Sequence, residues 1–211
     1  MSRVNNIDEY TIQIVNNVIQ QHHLTCLIFF RGWWCPACRA HLRQVESVKH
    51  ILDKKDVGIV AITSQSEGNG NTLQRLLERD TNVTFPVISN PNNILAKTFL
   101  PKHSQYRLPT PDHLNKNVYD GVNFIPYSGQ QPALLFIDNK GELKFCWSMK
   151  NDLPKGTGHT KETYTRGTVG DPWIRVKPDS IVQLINDIQN KKDKDSLKAE
   201  TIDLLPNDFT P

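Results

Sequence analysis

Two cysteines stand two residues apart in FFRGWWCPACRAHL (residues 29–42), directly after a run of large apolar side chains. Cys35 and Cys38 can serve as a structural clip, as half of a metal site, or as a reactive dithiol, and each role demands different surroundings. A closed zinc site needs four ligands, usually a second CxxC or a histidine pair at short spacing. Cys26 and Cys146 stand alone in apolar runs, His41 is near the pair and His22 adjoins His23, so no second ligand pair has that spacing. No metal is expected. Burial as a small apolar residue accounts well for Cys26 and Cys146. It accounts less well for Cys35 and Cys38, which fall where a strand ends and a helix begins.

That junction is what thiol chemistry requires. The thiolate is the nucleophile, and an ordinary thiol with a pKa of about 8.5 is mostly protonated near neutrality. A cysteine at a helix amino terminus faces unpaired backbone N–H groups and the positive end of the dipole, which favour the anion. Arg31 and Arg39 add positive charge nearby in sequence. With only Pro36 and Ala37 between them, the second cysteine lies within one turn of the first. Its sulfur can then attack a bond formed at Cys35. The dithiol reading is favoured.

The elements that must position this pair are legible as periodicities. Tyr10, Ile14, Val15, Val18 and Ile19 recur at helical spacing, which predicts a helix over 7–22. LTCLIFF (24–30) has strand length, and Pro36 suits the first turn of a helix that continues through Leu42, Val45, Val48 and Leu52. VGIVAIT (57–63) predicts a strand, NTLQRLLER a short helix, TFPVIS a strand, and PNNILAKTFL a helix opened by Asn90 or Pro91. This βαβαβα alternation argues for an α/β fold, a parallel sheet with helices on both faces. ALLFIDNKGELKFCWS (133–148) reads as a hairpin turning at Asn139–Gly141, and DSIVQLINDIQ as a last amphipathic helix. Residues 101–132, punctuated by Pro101, Pro109, Pro111, Pro126 and Pro132, read as a long irregular insertion, and 150–177 as a second long loop. We expect one domain over 1–190 and a solvated tail over 191–211.

Bulk properties narrow the function classes. The 211 residues are 37% hydrophobic and 22% charged with a formal net charge of +3, ordinary for one well-buried soluble domain. Basic residues alternate with acids, as in LERD and KKDKD, so neither nucleic acid nor a membrane surface is an expected partner. No stretch approaches the roughly 18 consecutive apolar residues of a membrane helix, and MSRVNNIDEYTIQ lacks the apolar core of a secretory signal. A cytoplasmic location is expected. Four cysteines are too sparse for a disulfide scaffold. The glycine-containing segments EGNGN (67–71) and RGTVGDP (166–172) lack a phosphate-binding pattern and read as turns, while His103, His113 and His159 fall in loops.

The order strand, FRGWWCPACRAHL, helix, then further β and α elements and a late hairpin, resembles the thioredoxin-like fold. Within it, the segment FFRGWWCPACRAHL is similar to the active sites of peroxiredoxin-like proteins of the alkyl hydroperoxide reductase and thiol-specific antioxidant group. The likeness spans about 7–190, and WCPAC at the strand-to-helix turn is its specific part. It implies a central mixed sheet flanked by helices, with the irregular insertion preceding the C-terminal hairpin. It also implies that Cys35 is the attacking cysteine and Cys38 the resolving one, with no cofactor. Pro132 falls where thioredoxin-like proteins carry a cis-proline beside the dithiol, a bond that turns the backbone so that Gln131 offers N–H and C=O to a substrate. Pro132 is otherwise an ordinary proline at a strand start. Trp34, Gln131, Pro132 and Arg31 are the expected substrate contacts.

One departure stands out. Typical peroxiredoxins have Thr or Ser three residues before the attacking cysteine, where the hydroxyl helps hold the peroxide; here that position is Gly32. Such proteins also set a distant arginine against the thiolate, and Arg107 and Arg166 are the candidates. Trp33 and Trp34 either shield the thiol and meet a partner, or divide between packing in the core and covering it. The implied function is reduction of peroxides, disulfides or both, with electrons from an external thiol donor such as thioredoxin or glutathione. The alternatives are a disulfide reductase without significant peroxidase activity and a non-catalytic binding module of thioredoxin fold.

Overall fold

The computed structural model describes residues 4–33, 35–65, 72–90, 93–99, 132–148, 174–193, 196–199 and 201–203. Their framework is a five-stranded sheet in the order β3-β2-β1-β4-β5, built from β1 (Leu24–Phe30), β2 (Val57–Thr63), β3 (Val87–Ser89), β4 (Ala133–Asp138) and β5 (Leu143–Ser148). The first three strands are parallel, whereas β4 runs antiparallel to β1 and β5 antiparallel to β4, so the sheet is mixed. Every residue of β1 and β2 is buried, as expected of strands covered on both faces.

Alternation along the strands assigns the two faces. Cys26, Ile28, Phe30, Ile59, Ala61, Leu134 and Phe136 share one apolar core with side chains of α2 (Pro36–Lys54), α3 (Thr72–Thr81) and α5 (Pro178–Gln189). Leu27, Phe29, Val60, Ile62, Leu135 and Ile137 face the other way, toward α1 (Val4–Gln21) and α4 (Ile94–Phe99). On α2 the buried positions Cys38, His41, Leu42, Val45, Val48 and Leu52 recur at intervals of one turn, the stripe a helix lays on a sheet.

α1 lies very close to β2. A Cβ placed on Gly58 would come within 2.5 Å of the His22 ring and 2.9 Å of Val18 Cγ1. Gly58→Ala is therefore expected to push α1 off the sheet and lower stability by about 1–3 kcal/mol, the range for overpacking. A thermal or denaturant melt checks this; an unchanged midpoint would show that α1 yields freely.

Several boundaries differ from the sequence expectation for physical reasons. The third strand begins at Val87 rather than Thr84, because Pro86 has no N–H for the ladder and contributes only its carbonyl, which accepts from Ala61 N at 2.9 Å. α4 begins at Ile94 after Asn93 adopts a positive φ of 55°, and the Asn90 side chain caps it by accepting from Leu95 N at 2.9 Å. The loop expected over 150–177 ends in a strand, β6 (Ile174–Val176), which pairs antiparallel with β7 (Thr201–Asp203). Within the segment expected to be a tail, Thr201–Asp203 thus pairs back onto β6 and Leu197 is buried in the core on the α2 side. Three-residue strands leave no periodicity to read. The expected insertion 101–132 lies outside the described residues except for Pro132.

The sheet register decides where a site can form. Phe30↔Thr63 and Thr63↔Ser89 bring the carboxyl ends of β1, β2 and β3 to one edge, and Phe29↔Ala133 brings the start of β4 to that same edge. Open α/β sheets bind ligands at the carboxyl ends of their strands.

Candidate active site

The chain leaves β1 at this edge through Arg31, Gly32 and Trp33 and enters α2 at Pro36. Gly32 takes a φ of 146°, a conformation that side chains on an L-residue disfavour. Its carbonyl accepts from Cys35 N at 3.1 Å, which closes the turn. Cys35 is the N-cap of α2, with extended φ −85° and ψ 107°. Its carbonyl accepts from Arg39 N at 3.1 Å, and Pro36 fills the first helical position, where a missing N–H costs nothing. Cys38 follows inside the first turn. The two cysteines are 4% and 1% exposed and belong to the same apolar core, so both project to the buried side of α2.

The glycine is a backbone requirement. Gly32→Thr, which would supply the hydroxyl expected by resemblance, is expected to cost about 1–3 kcal/mol in strain and to leave peroxide reduction no faster. A melt combined with stopped-flow oxidation checks both. A faster, equally stable variant would show that the turn accepts a side chain.

Trp33 is anchored twice. Its backbone N–H donates to Gln65 Oε1 at 2.7 Å, and its indole Nε1–H donates to Asp80 Oδ2 at 2.6 Å. Gln65 is itself fixed at the end of β2: its N–H donates to Thr63 Oγ1 at 3.1 Å and its carbonyl accepts from Ser89 Oγ at 2.7 Å. Trp33 thus packs on the core with its polar end satisfied, one of the roles the sequence leaves open for it. Arg39 is directed to this cluster. Its guanidinium lies 5.4 Å from the Trp33 ring centroid and 3.2 Å from Asp80 Oδ2. Arg79 bonding to the other oxygen, with Trp33 and Arg39 assisting against partial burial, holds the Asp80 carboxyl below the usual carboxylate range.

One turn beyond Cys38, buried His41 lies 3.0 Å through Nε2 from the Val176 carbonyl oxygen. A carbonyl only accepts, so Nε2 carries the proton. This contact ties α2 to the small β6–β7 sheet.

The other two cysteines belong to strands of the sheet, Cys26 to β1 and Cys146 to β5. Cys26 shares the α2 side of the core, and burial pushes its pKa upward. Cys146 packs on the opposite face, with its pKa pushed up to about 11 by burial. Both remain protonated at neutral pH and are poor nucleophiles. Among the described residues no group of three His, Cys, Asp or Glu side chains is placed to hold a metal ion.

Of the residues expected at the site, Cys35 and Cys38 meet in the first turn of α2, and Arg31 is half-buried at the exit of β1. Pro132 is buried directly before β4, and continuing the Phe29↔Ala133 register places it opposite Phe30. Trp34, Gln131, Arg107 and Arg166 lie outside the described residues, as do 67–71, His103, His113 and His159. Sequence reasoning missed Gln65 and Asp80. Asp80 stands in LERD, which reads as ordinary mixed surface charge, and nothing local marks a carboxylate whose partner is 47 residues away.

A mixed sheet with this strand order and a CxxC opening the helix after β1 defines a thioredoxin-like protein. The chain belongs to the AhpC/TSA family, whose model matches residues 4–146. Members of that family are peroxiredoxin-like thiol oxidoreductases, and the chain is an enzyme of this class. Among solved structures it is similar to the reduced 2-Cys peroxiredoxin of Plasmodium vivax, with a TM-score of 0.51 and 12% identity over 84% of this chain and 83% of that one. It is also similar to AhpC of Enterococcus faecalis, with a TM-score of 0.49 and 12% identity over 82% and 77% of the two chains. A yeast mitochondrial 1-Cys peroxiredoxin, studied for thiol resolution via glutathione/thioredoxin systems, gives 0.48 and 14% over 84% and 68%. No curated protein matches the chain. No helix among the described residues is long and apolar enough to cross a membrane.

Proposed function

We propose that the chain reduces peroxides through a Cys35–Cys38 dithiol. The observation that supports this reading best is the placement of both thiols on the buried side of the first turn of α2, with Cys35 as its N-cap. The N–H groups and dipole of the helix start stabilise a thiolate at Cys35. That thiolate attacks one peroxide oxygen. An S–O bond forms, the O–O bond breaks, and the departing alkoxide or hydroxide takes a proton, leaving Cys35 as a sulfenic acid. Cys38 then attacks the Cys35 sulfur, an S–S bond forms, and the sulfenic oxygen leaves as water. A thioredoxin dithiol, or two glutathione thiols, supplies the two electrons that reopen the disulfide.

Arg31, Trp34, Gln131 and Pro132 are the residues we assign to the substrate. Arg31 and Pro132 flank the end of β1, Gln131 directly precedes Pro132 in the sequence, and Trp34 directly precedes Cys35. Gly32 gives the site one hydrogen-bond donor fewer than a hydroxyl residue would. Losing such a donor costs ~10²–10³ in rate where the transition state depends on it. The dithiol is accordingly expected to exchange readily with disulfides and to reduce peroxides more slowly than a hydroxyl-bearing site. The test is peroxide consumption by the reduced protein, coupled in parallel to a thioredoxin and to a glutathione recycling system. Sustained turnover with either supports the reading. Turnover with disulfide substrates alone would assign the protein to disulfide reduction.

A further inference from the structure

Trp33 precedes Cys35 and Arg39 follows it, and one carboxylate from another helix holds both. Asp80, in the last turn of α3, accepts from Trp33 Nε1 at 2.6 Å and from Arg39 at 3.2 Å on the same oxygen, while Arg79 donates to its other oxygen at 2.7 Å. Arg43, one turn further along α2, donates to the Asp80 backbone carbonyl at 3.4 Å. The Asp80 side chain is only 19% exposed, so these contacts are partly shielded from water.

These contacts reach the turn between β1 and α2 that leads to Cys35. Gly32 brings no side chain to the turn, which a bond from Cys35 N to Gly32 O closes. Trp33 is gripped from two directions: its backbone by Gln65 at the end of β2, and its indole by Asp80 on α3. We propose that Asp80 is a positioning residue for Cys35, acting through the Trp33 indole to fix the turn that presents the thiol and through Arg39 to fix the first turn of α2 behind it. This rests on Cys35 being the attacking thiol. The role is geometric: Arg39 and Arg79 already neutralise the carboxylate, and what the turn uses is the oxygen that receives the indole N–H. A misplacement of about 1 Å in a reacting group costs up to ~10²-fold in rate.

The experiment measures, by stopped flow, the rate constant for oxidation of the reduced protein by hydrogen peroxide in Asp80→Ala, Asp80→Asn, Trp33→Phe and the Trp33→Phe/Asp80→Ala double variant, with Cys35→Ser alongside. Asp80→Ala and Trp33→Phe are each expected to fall roughly 10- to 100-fold, and the double variant to match Asp80→Ala within about twofold. Asp80→Asn, which keeps an oxygen for the indole, is expected to recover most of the rate. A wild-type rate in Asp80→Ala, or losses that multiply in the double variant, would overturn the proposal. If Asp80→Ala does not fold, Trp33→Phe and Asp80→Asn decide, and a wild-type rate in Trp33→Phe overturns it. An undiminished rate in Cys35→Ser would remove the attacking-thiol assignment itself. A dead Cys35→Ser beside a wild-type Asp80→Ala would remove only the positioning role.

Discussion

Cys35→Ser is expected to lose peroxide reduction and disulfide exchange together, by roughly 10³-fold or more, as follows from removing a nucleophile. The structure makes this substitution informative because it separates chemistry from folding. Cys35 is the N-cap of α2, and serine is among the best residues at that position, since its hydroxyl accepts from an orphan N–H of the first turn. The variant should therefore melt at or above the wild-type temperature while being inactive. Neither thiol of the sheet is expected to substitute. Cys26 and Cys146 are kept protonated by burial, and Cys146 lies on the far side of the sheet. Activity surviving at even a tenth of the wild-type level, an order far above that expected loss, would move the nucleophile elsewhere.

Cys38→Ser is expected to separate the two halves of the cycle. The first step uses only Cys35, so a single oxidation by peroxide should keep its rate within several-fold of wild type, about 1 kcal/mol in the barrier. Steady-state turnover should collapse. With the internal thiol gone, the oxidised Cys35 waits as a sulfenic acid or as a mixed disulfide with glutathione or a partner. The mixed disulfide should be isolable without reductant and visible as a mass increase on the peptide containing Cys35. Full turnover of Cys38→Ser with a thiol donor would instead indicate a one-cysteine cycle in which the external thiol resolves the sulfenic acid.

Much of this architecture is legible in the sequence because its signals are local. LTCLIFF and VGIVAIT are continuous apolar runs of strand length, and both are strands over the expected residues, Leu24–Phe30 and Val57–Thr63. Pro36 after Cys35 marks the helix start because proline is tolerated only where no N–H is needed. The hairpin turn at Asn139–Gly141 follows from turn chemistry, Gly141 taking a φ of 81°. What is not legible is long-range or too short to show a period. Pro86 truncates the third strand by withholding a donor, and the pairing of Ile174–Val176 with Thr201–Asp203 joins segments that each look irregular.

The site divides in the same way. The CxxC announces itself by spacing and by its place at a strand-to-helix junction. Its supports, Gln65 and Asp80, reach Trp33 from 32 and 47 residues away and look like any loop amide and surface acid. Arg39 reads in sequence as a positive charge available to the thiolate. In the structure its guanidinium is committed to Asp80 and the Trp33 ring.

The central claim is that Cys35 and Cys38 form one redox unit, and the most direct measurement is peptide mass mapping of the fully reduced protein after one equivalent of hydrogen peroxide. The expected product is an intramolecular disulfide joining Cys35 to Cys38, with Cys26 and Cys146 recovered as thiols. Sulfenic acid accumulating at Cys35 while Cys38 remains alkylatable, or first oxidation at Cys26 or Cys146, would contradict it.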